Sequence, residues 1–113
     1  MYMIPATDDS AMAGNPPFLA ALEDHDPEFA ELIAQTRSES RTEGALSAKT
    51  KALIAMALDA GMNHPNGVES LSDAARDAGA TEEEVLETVE VVASMCGLQG
   101  LATGMNAFPD EDR

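Results

Sequence analysis

Positive charge is scarce in this chain. Six Lys and Arg residues face 21 Asp and Glu residues, and the formal net charge is −15. Phosphate backbones repel such a surface, which argues against nucleic acid as a partner and, for the same reason, against an anionic membrane. Aromatic residues make up only 4% and tryptophan is absent, so the stacking platforms that hold single-stranded nucleic acid are not expected either. Cysteine occurs once, at Cys96. No intramolecular disulfide can form, and a reducing cytoplasm is the natural setting. No uninterrupted apolar run reaches the roughly 18 residues of a membrane-spanning helix. The first residues show no basic region followed by an apolar core of the secretory kind.

Helix-forming aliphatic residues are what the chain has in quantity. Hydrophobic residues are 44% of the 113, mostly Ala, Leu, Val and Met, which lose little on entering a helix. That content is too high for a disordered acidic segment. The length suits one domain with a modest core, which oligomer formation would help. The acids are spread along the sequence, and lysine occurs only at Lys49 and Lys51. This pattern fits a protein of multimolar salt, where short screening lengths make self-repulsion tolerable. The plainer alternative is an ordinary acidic cytoplasmic protein.

Residues 1–15 read as a flexible arm, 16–108 as one helical domain and 109–113 as an acidic tail. Pro16-Pro17 opens a short helix over Phe18 to Glu23, since proline suits a first helical turn. Asp26 and Pro27 start the second as N-cap and first residue. Its apolar stripe is Phe29, Leu32 and Ile33, and the polar stretch Ser38 to Gly44 ends it. Ser47 caps the third helix, where Leu53, Ile54, Ala57 and Leu58 recur at helical spacing; Gly61 and Pro65 bracket its end. A fourth helix is predicted from about Gly67 to Ala78, with Gly79 as a left-handed C-cap. Thr81 and Glu84 form a capping box, ahead of an apolar face of Val85, Leu86, Val89, Val92, Ala93 and Cys96. Gly97, Gly100 and Gly104 mark a kink or a close helix crossing. There is no strand pattern and no internal repeat.

Two segments carry a family resemblance. Leu46-Ser47-Ala48-Lys49-Thr50-Lys51-Ala52-Leu53-Ile54 is similar to an "L-s-x-K-t-K-E-L-I" helix start. Ala74-Ala75-Arg76-Asp77-Ala78-Gly79-Ala80-Thr81-Glu82-Glu83-Glu84-Val85 is similar to an "A-a-x-x-a-G-a-t-e-e-E-i" interhelical turn, and the glycine-rich run from Met95 to Ala102 follows suit. At this spacing the chain resembles the carboxymuconolactone decarboxylase / alkylhydroperoxidase-D-like family. The resemblance implies an all-α, alkylhydroperoxidase-D-like helical domain of about five to six helices, assembled as a trimer or hexamer. The family's peroxidase branch carries E-x11-C-x-x-C-x-x-x-H. One thiolate attacks peroxide, the second resolves the sulfenic acid, and Glu and His relay the proton that makes the thiolate. Carried onto this chain, the Glu falls on Ala52, the cysteines on His64 and Gly67, and the His on Leu71. All four have changed, and with a single cysteine the dithiol mechanism is excluded. The decarboxylase branch keeps a His at the position of Leu71, so that activity is in doubt too.

Other chemistry-bearing residues have plain alternatives. His64 is placed to be a general base or a metal ligand, or a turn histidine that bonds the backbone; no second ligand has recognisable spacing. Glu69, Asp73 and Asp77 repeat every four residues as a potential hard-cation stripe or a solvated face. Cys96 reads as a small buried hydrophobe. The leading expectation is a redox-inactive homo-oligomer that binds a small-molecule ligand or a partner and uses no cofactor or metal. The alternatives are an enzyme with a remodelled pocket using His64 as base, and a one-cysteine peroxidase acting through Cys96.

Overall fold

The computed structural model describes residues 16–109. The expected arm at 1–15 and most of the acidic tail lie outside the described residues. Five helices follow one another: α1 Pro17–His25, α2 Pro27–Arg41, α3 Ala48–Gly61, α4 Pro65–Asp77 and α5 Glu82–Gly104, then a 3-10 turn Met105–Ala107. No strand occurs among the described residues, as an all-α reading requires.

Local chemistry sets the boundaries. Proline occupies the first turn of α1, α2 and α4, where a missing N–H costs nothing. Asp26 Oδ1 accepts from Phe29 N at 3.1 Å, and Ser47 Oγ from Thr50 N at 3.1 Å. The capping box is complete: Glu84 N donates to Thr81 Oγ1 at 3.0 Å and Thr81 N to Glu84 Oε1 at 2.9 Å.

The fourth helix starts earlier than the expected Gly67. Pro65 is its first residue and not the terminator of α3. Only Met62, Asn63 and His64 separate the two helices. Asn63 takes the left-handed conformation at φ 67°. His64 N then donates to Asp59 O at 2.8 Å and Asn63 N to Ala60 O at 3.3 Å, which together satisfy the last carbonyls of α3. Gly79, at φ 106°, does the same for α4, with Ala80 N on Ala75 O and Gly79 N on Arg76 O, both at 2.9 Å.

The core lies between α3, α4 and α5. Met56, Ala60, Val68, Leu71, Val85, Val89, Val92 and Ala107 form it, with Leu53, Leu101 and Phe108 packed around. The α1–α2 hairpin joins this unit through α2 against α3. Lys49 Nζ meets Glu84 Oε2 at 2.9 Å and ties the starts of α3 and α5.

Helix α5 is not a straight rod. Gly97 sits inside it at φ 75°, ψ −166°, a region essentially reserved for glycine. A Cβ built on Gly104 would lie 3.0 Å from Val89 Cγ1. In a straight helix residues so far apart in sequence would be separated by roughly 22 Å. The second arm therefore folds back along the first. By length and composition alone Glu82–Ala107 would pass for a membrane span. The reversal at Gly97 breaks that rod, and Val85, Val89 and Val92 are committed to the core.

Candidate functional site

A cleft of about 600 Å³ opens between the α1–α2 hairpin and the α3–α4 pair. Three of the four motif positions line it: His64, Gly67 and Leu71. The fourth, Ala52, is fully buried in α3 and does not reach the cleft lining. The lining holds no thiol.

Asp59, which the sequence reading passed over, organises this site. Its Oδ1 lies 3.1 Å from His64 Nδ1, and the two side chains are 27% and 56% exposed. Because a carboxylate only accepts, the pairing places a proton on Nδ1, and in the neutral ring Nε2 is then the acceptor. The other oxygen of Asp59 lies over Gly67. A Cβ there would land on Asp59 Oδ2 and come within 2.7 Å of Cγ. The carboxylate thus occupies the space that a side chain at the second cysteine position would need. Asp59 also follows Ala52 by two helical turns, so an acid is present on the same face of α3, displaced by roughly 10 Å along the axis.

His64 was expected either as a base or ligand or as a turn residue bonding the backbone. Its ring pairs with a side chain, while its backbone N–H closes the α3 end. Among the described residues no group of three or more His, Cys, Asp or Glu converges to hold a metal ion. Glu69, Asp73 and Asp77 are all exposed, and Asp73 pairs only loosely with Arg76, at 3.4 Å. That stripe is a solvated face.

The opposite wall of the cleft was also missed. Arg37 and Arg41 line it, so two of the chain's six basic residues share one cleft. Their i, i+4 spacing puts both on one face of α2. That spacing, in a chain so poor in bases, was the available signal. The cleft lining carries two guanidiniums against one carboxylate, Asp59, and Leu71 supplies an apolar surface.

Cys96 corrects an expectation. It is exposed where a buried small hydrophobe was predicted. The reversal at Gly97 ends the first arm of α5 there, so no further turn covers the thiol. Its Sγ would lie 3.1 Å from a Cβ on Gly61, which brings the end of α3 and the reversal inside α5 side by side. Met95 and Leu98, flanking the reversal, are 80% and 82% exposed, and Leu58 and Met62 of the α3 end are exposed as well.

A second polar cluster lies at the α4–α5 turn. Arg76 Nε and Nη2 donate to Glu82 at 2.6 and 3.1 Å, and Nη2 also donates to Ala107 O at 2.8 Å. The guanidinium stacks 5.6 Å from the Phe108 ring centroid. Glu82, by hydrogen bonding, raises the pKa of Arg76 and is itself held below the usual carboxylate range by it. All its members are satisfied by structural contacts, and it reads as a fastening.

The sequence profile described as the Carboxymuconolactone decarboxylase family matches residues 27–109. The fold is similar to a protein of Burkholderia xenovorans LB400 assigned as a carboxymuconolactone decarboxylase, at 26% identity and a TM-score of 0.82 over 90% of this chain and 81% of that one. It is also similar to the apo form of a carboxymuconolactone decarboxylase family protein from Legionella pneumophila, at 32% identity and a TM-score of 0.73 over 80% of each chain. No curated protein matches the sequence significantly.

Proposed function

Because the chain belongs to the carboxymuconolactone decarboxylase family, we propose that it is a redox-inactive, homo-oligomeric member that binds a small molecule in the cleft between the α1–α2 hairpin and the α3–α4 pair. One observation carries this reading. Three motif positions line a single cleft without a thiol, and the carboxylate of Asp59 fills the space beside Gly67. A volume of about 600 Å³ suits a small organic ligand. Assembly is supported by the exposed apolar residues at the α3 end and the α5 reversal, Leu58, Met62, Met95 and Leu98, of the kind that mark an interaction surface. The same reading takes the acidic surface as an adaptation to high salt.

Peroxide consumption, measured with a dithiol reductant in molar KCl for wild type and Cys96→Ser, tests the redox half. Neither protein should turn over peroxide. Turnover by wild type alone would overturn the inert reading and assign the chemistry to Cys96. Light scattering on the eluting protein should give a trimer or hexamer, and Met95→Glu with Leu98→Glu should release monomers.

The His64–Asp59 pair favours one further reading, an enzyme of the same family that uses His64 as a general base. Any activity found on small acids or lactones that survives His64→Ala unchanged would sink it.

A further inference from the structure

Resting on the reading of the cleft as a ligand pocket, we infer that it selects small organic anions: Arg37 and Arg41 hold the negative charge, and Asp59 positions His64 to accept a hydrogen bond from a neighbouring polar group of the ligand.

Charge is the first argument. The chain has a net charge of −15, and its surface repels anions at long range. Arg37 and Arg41 nevertheless stand on one wall of the cleft, against a single carboxylate on the other. A guanidinium has five N–H donors, so each can keep a protein partner and still offer donors to a ligand. Planar forks of this kind match carboxylates.

The opposite wall supplies the second argument. Asp59 accepts from His64 Nδ1 at 3.1 Å, and in the neutral ring this selects the tautomer whose Nε2 accepts. The ligand group facing His64 is therefore a donor, such as a hydroxyl. The same carboxylate lies against Gly67 and adds a negative wall beside it. An uncharged donor is favoured there, and a second anionic group is disfavoured. Leu71, on the same helix as Gly67, also lines the cleft and suits a short carbon skeleton. The expected class is a small monoanionic hydroxy acid.

Nuclear magnetic resonance on the full chain, with ¹⁵N-labelled Arg and His side chains, tests this with mandelate as the anionic probe and mandelamide as its neutral counterpart. Mandelate should shift the Nε resonances of Arg37 and Arg41 and the ring nitrogens of His64. Mandelamide should bind far more weakly. Arg37→Gln and Arg41→Gln should each weaken mandelate binding by about tenfold or more, the size of one lost charge-assisted hydrogen bond. In Asp59→Ala the His64 ring should leave the Nδ1–H tautomer, a change visible in the ring shifts without any ligand. Equal binding of both probes at the cleft would overturn the anion assignment and leave a ligand pocket standing. Mandelate binding unchanged in both arginine variants would overturn it too. No perturbation of the cleft by either probe would overturn this inference and the pocket reading together. An unchanged His64 tautomer in Asp59→Ala would remove Asp59 from its positioning role.

Discussion

Gly67 shows how one missing side chain controls a site. It lies in the first turn of α4, where alanine would ordinarily gain about 1 kcal/mol over glycine. Here the added methyl would land on the Asp59 carboxylate, which must turn away and give up His64, a loss of about 1 kcal/mol. Gly67→Ala should therefore change stability little in a urea melt while removing the His64–Asp59 pairing from the ring ¹⁵N spectrum. In an Asp59→Ala background the same substitution should stabilise by up to about 1 kcal/mol. Glu84 gives a second prediction at this scale. The Thr81 backbone N–H first, and then Lys49, hold its carboxyl below the ordinary value of 4.5; Arg76 does the same for Glu82. A depressed pKa contributes stability that is complete above the unfolded value and lost as pH falls through the folded one. Stability should thus begin to fall as the pH drops below about 4.5. Glu84→Gln, which keeps a capping partner at that position, should flatten the acid limb of a melting-temperature profile.

At the scale of elements, α5 depends on its glycines. Gly97 has a backbone conformation that other residues reach only at a cost of roughly 1–3 kcal/mol. Gly100 has no room for a methyl group: a Cβ would sit 2.7 Å from Cys96 Cβ and 2.9 Å from Val92 Cγ1, an overpacking of about 1–3 kcal/mol. Gly97→Ala and Gly100→Ala should each lower the melting temperature, and Gly97→Ala should also loosen amide protection in the second arm. The caps were legible because they act through neighbours in sequence: Asp26, Ser47, Thr81 with Glu84, and Gly79 all do what their spacing indicates. The α3–α4 turn was misread for the same reason that the others were read well. Proline ends one helix or starts the next, and the left-handed residue that decides between them is Asn63, held from a distance by Thr103 Oγ1 at 2.7 Å. The run of glycines announced a kink or crossing. That the arm folds fully back is fixed by Val89, against which Gly104 packs from well along the chain.

For the whole molecule, salt is the sharpest test. Screening lengths fall from about 10 Å at 0.1 M to about 3 Å at 1 M. A surface with a formal charge of −15 built for concentrated brine should keep gaining melting temperature in KCl beyond 1 M. A rise that levels off within the first few hundred millimolar would identify an ordinary acidic protein instead. The site was half legible at this scale. Counting along the chain found His64, Gly67 and Leu71, because they lie on one turn and one helix. It missed Asp59, Arg37 and Arg41, which meet them only when α2 and α3 pack. Exposure of Cys96 was equally out of reach, since it depends on where α5 reverses.

The fit between Asp59 and Gly67 also orders the routes by which such a protein can change. A cysteine at Gly67 has no place to stand while the carboxylate lies there, so a thiol gained first would disturb the site before a second thiol made it useful. Asp59 must first turn away or be lost, and either step dissolves whatever the His64 pair now does. Descent to a redox centre therefore passes through a form with neither chemistry, and selection on the present site would act against entering it.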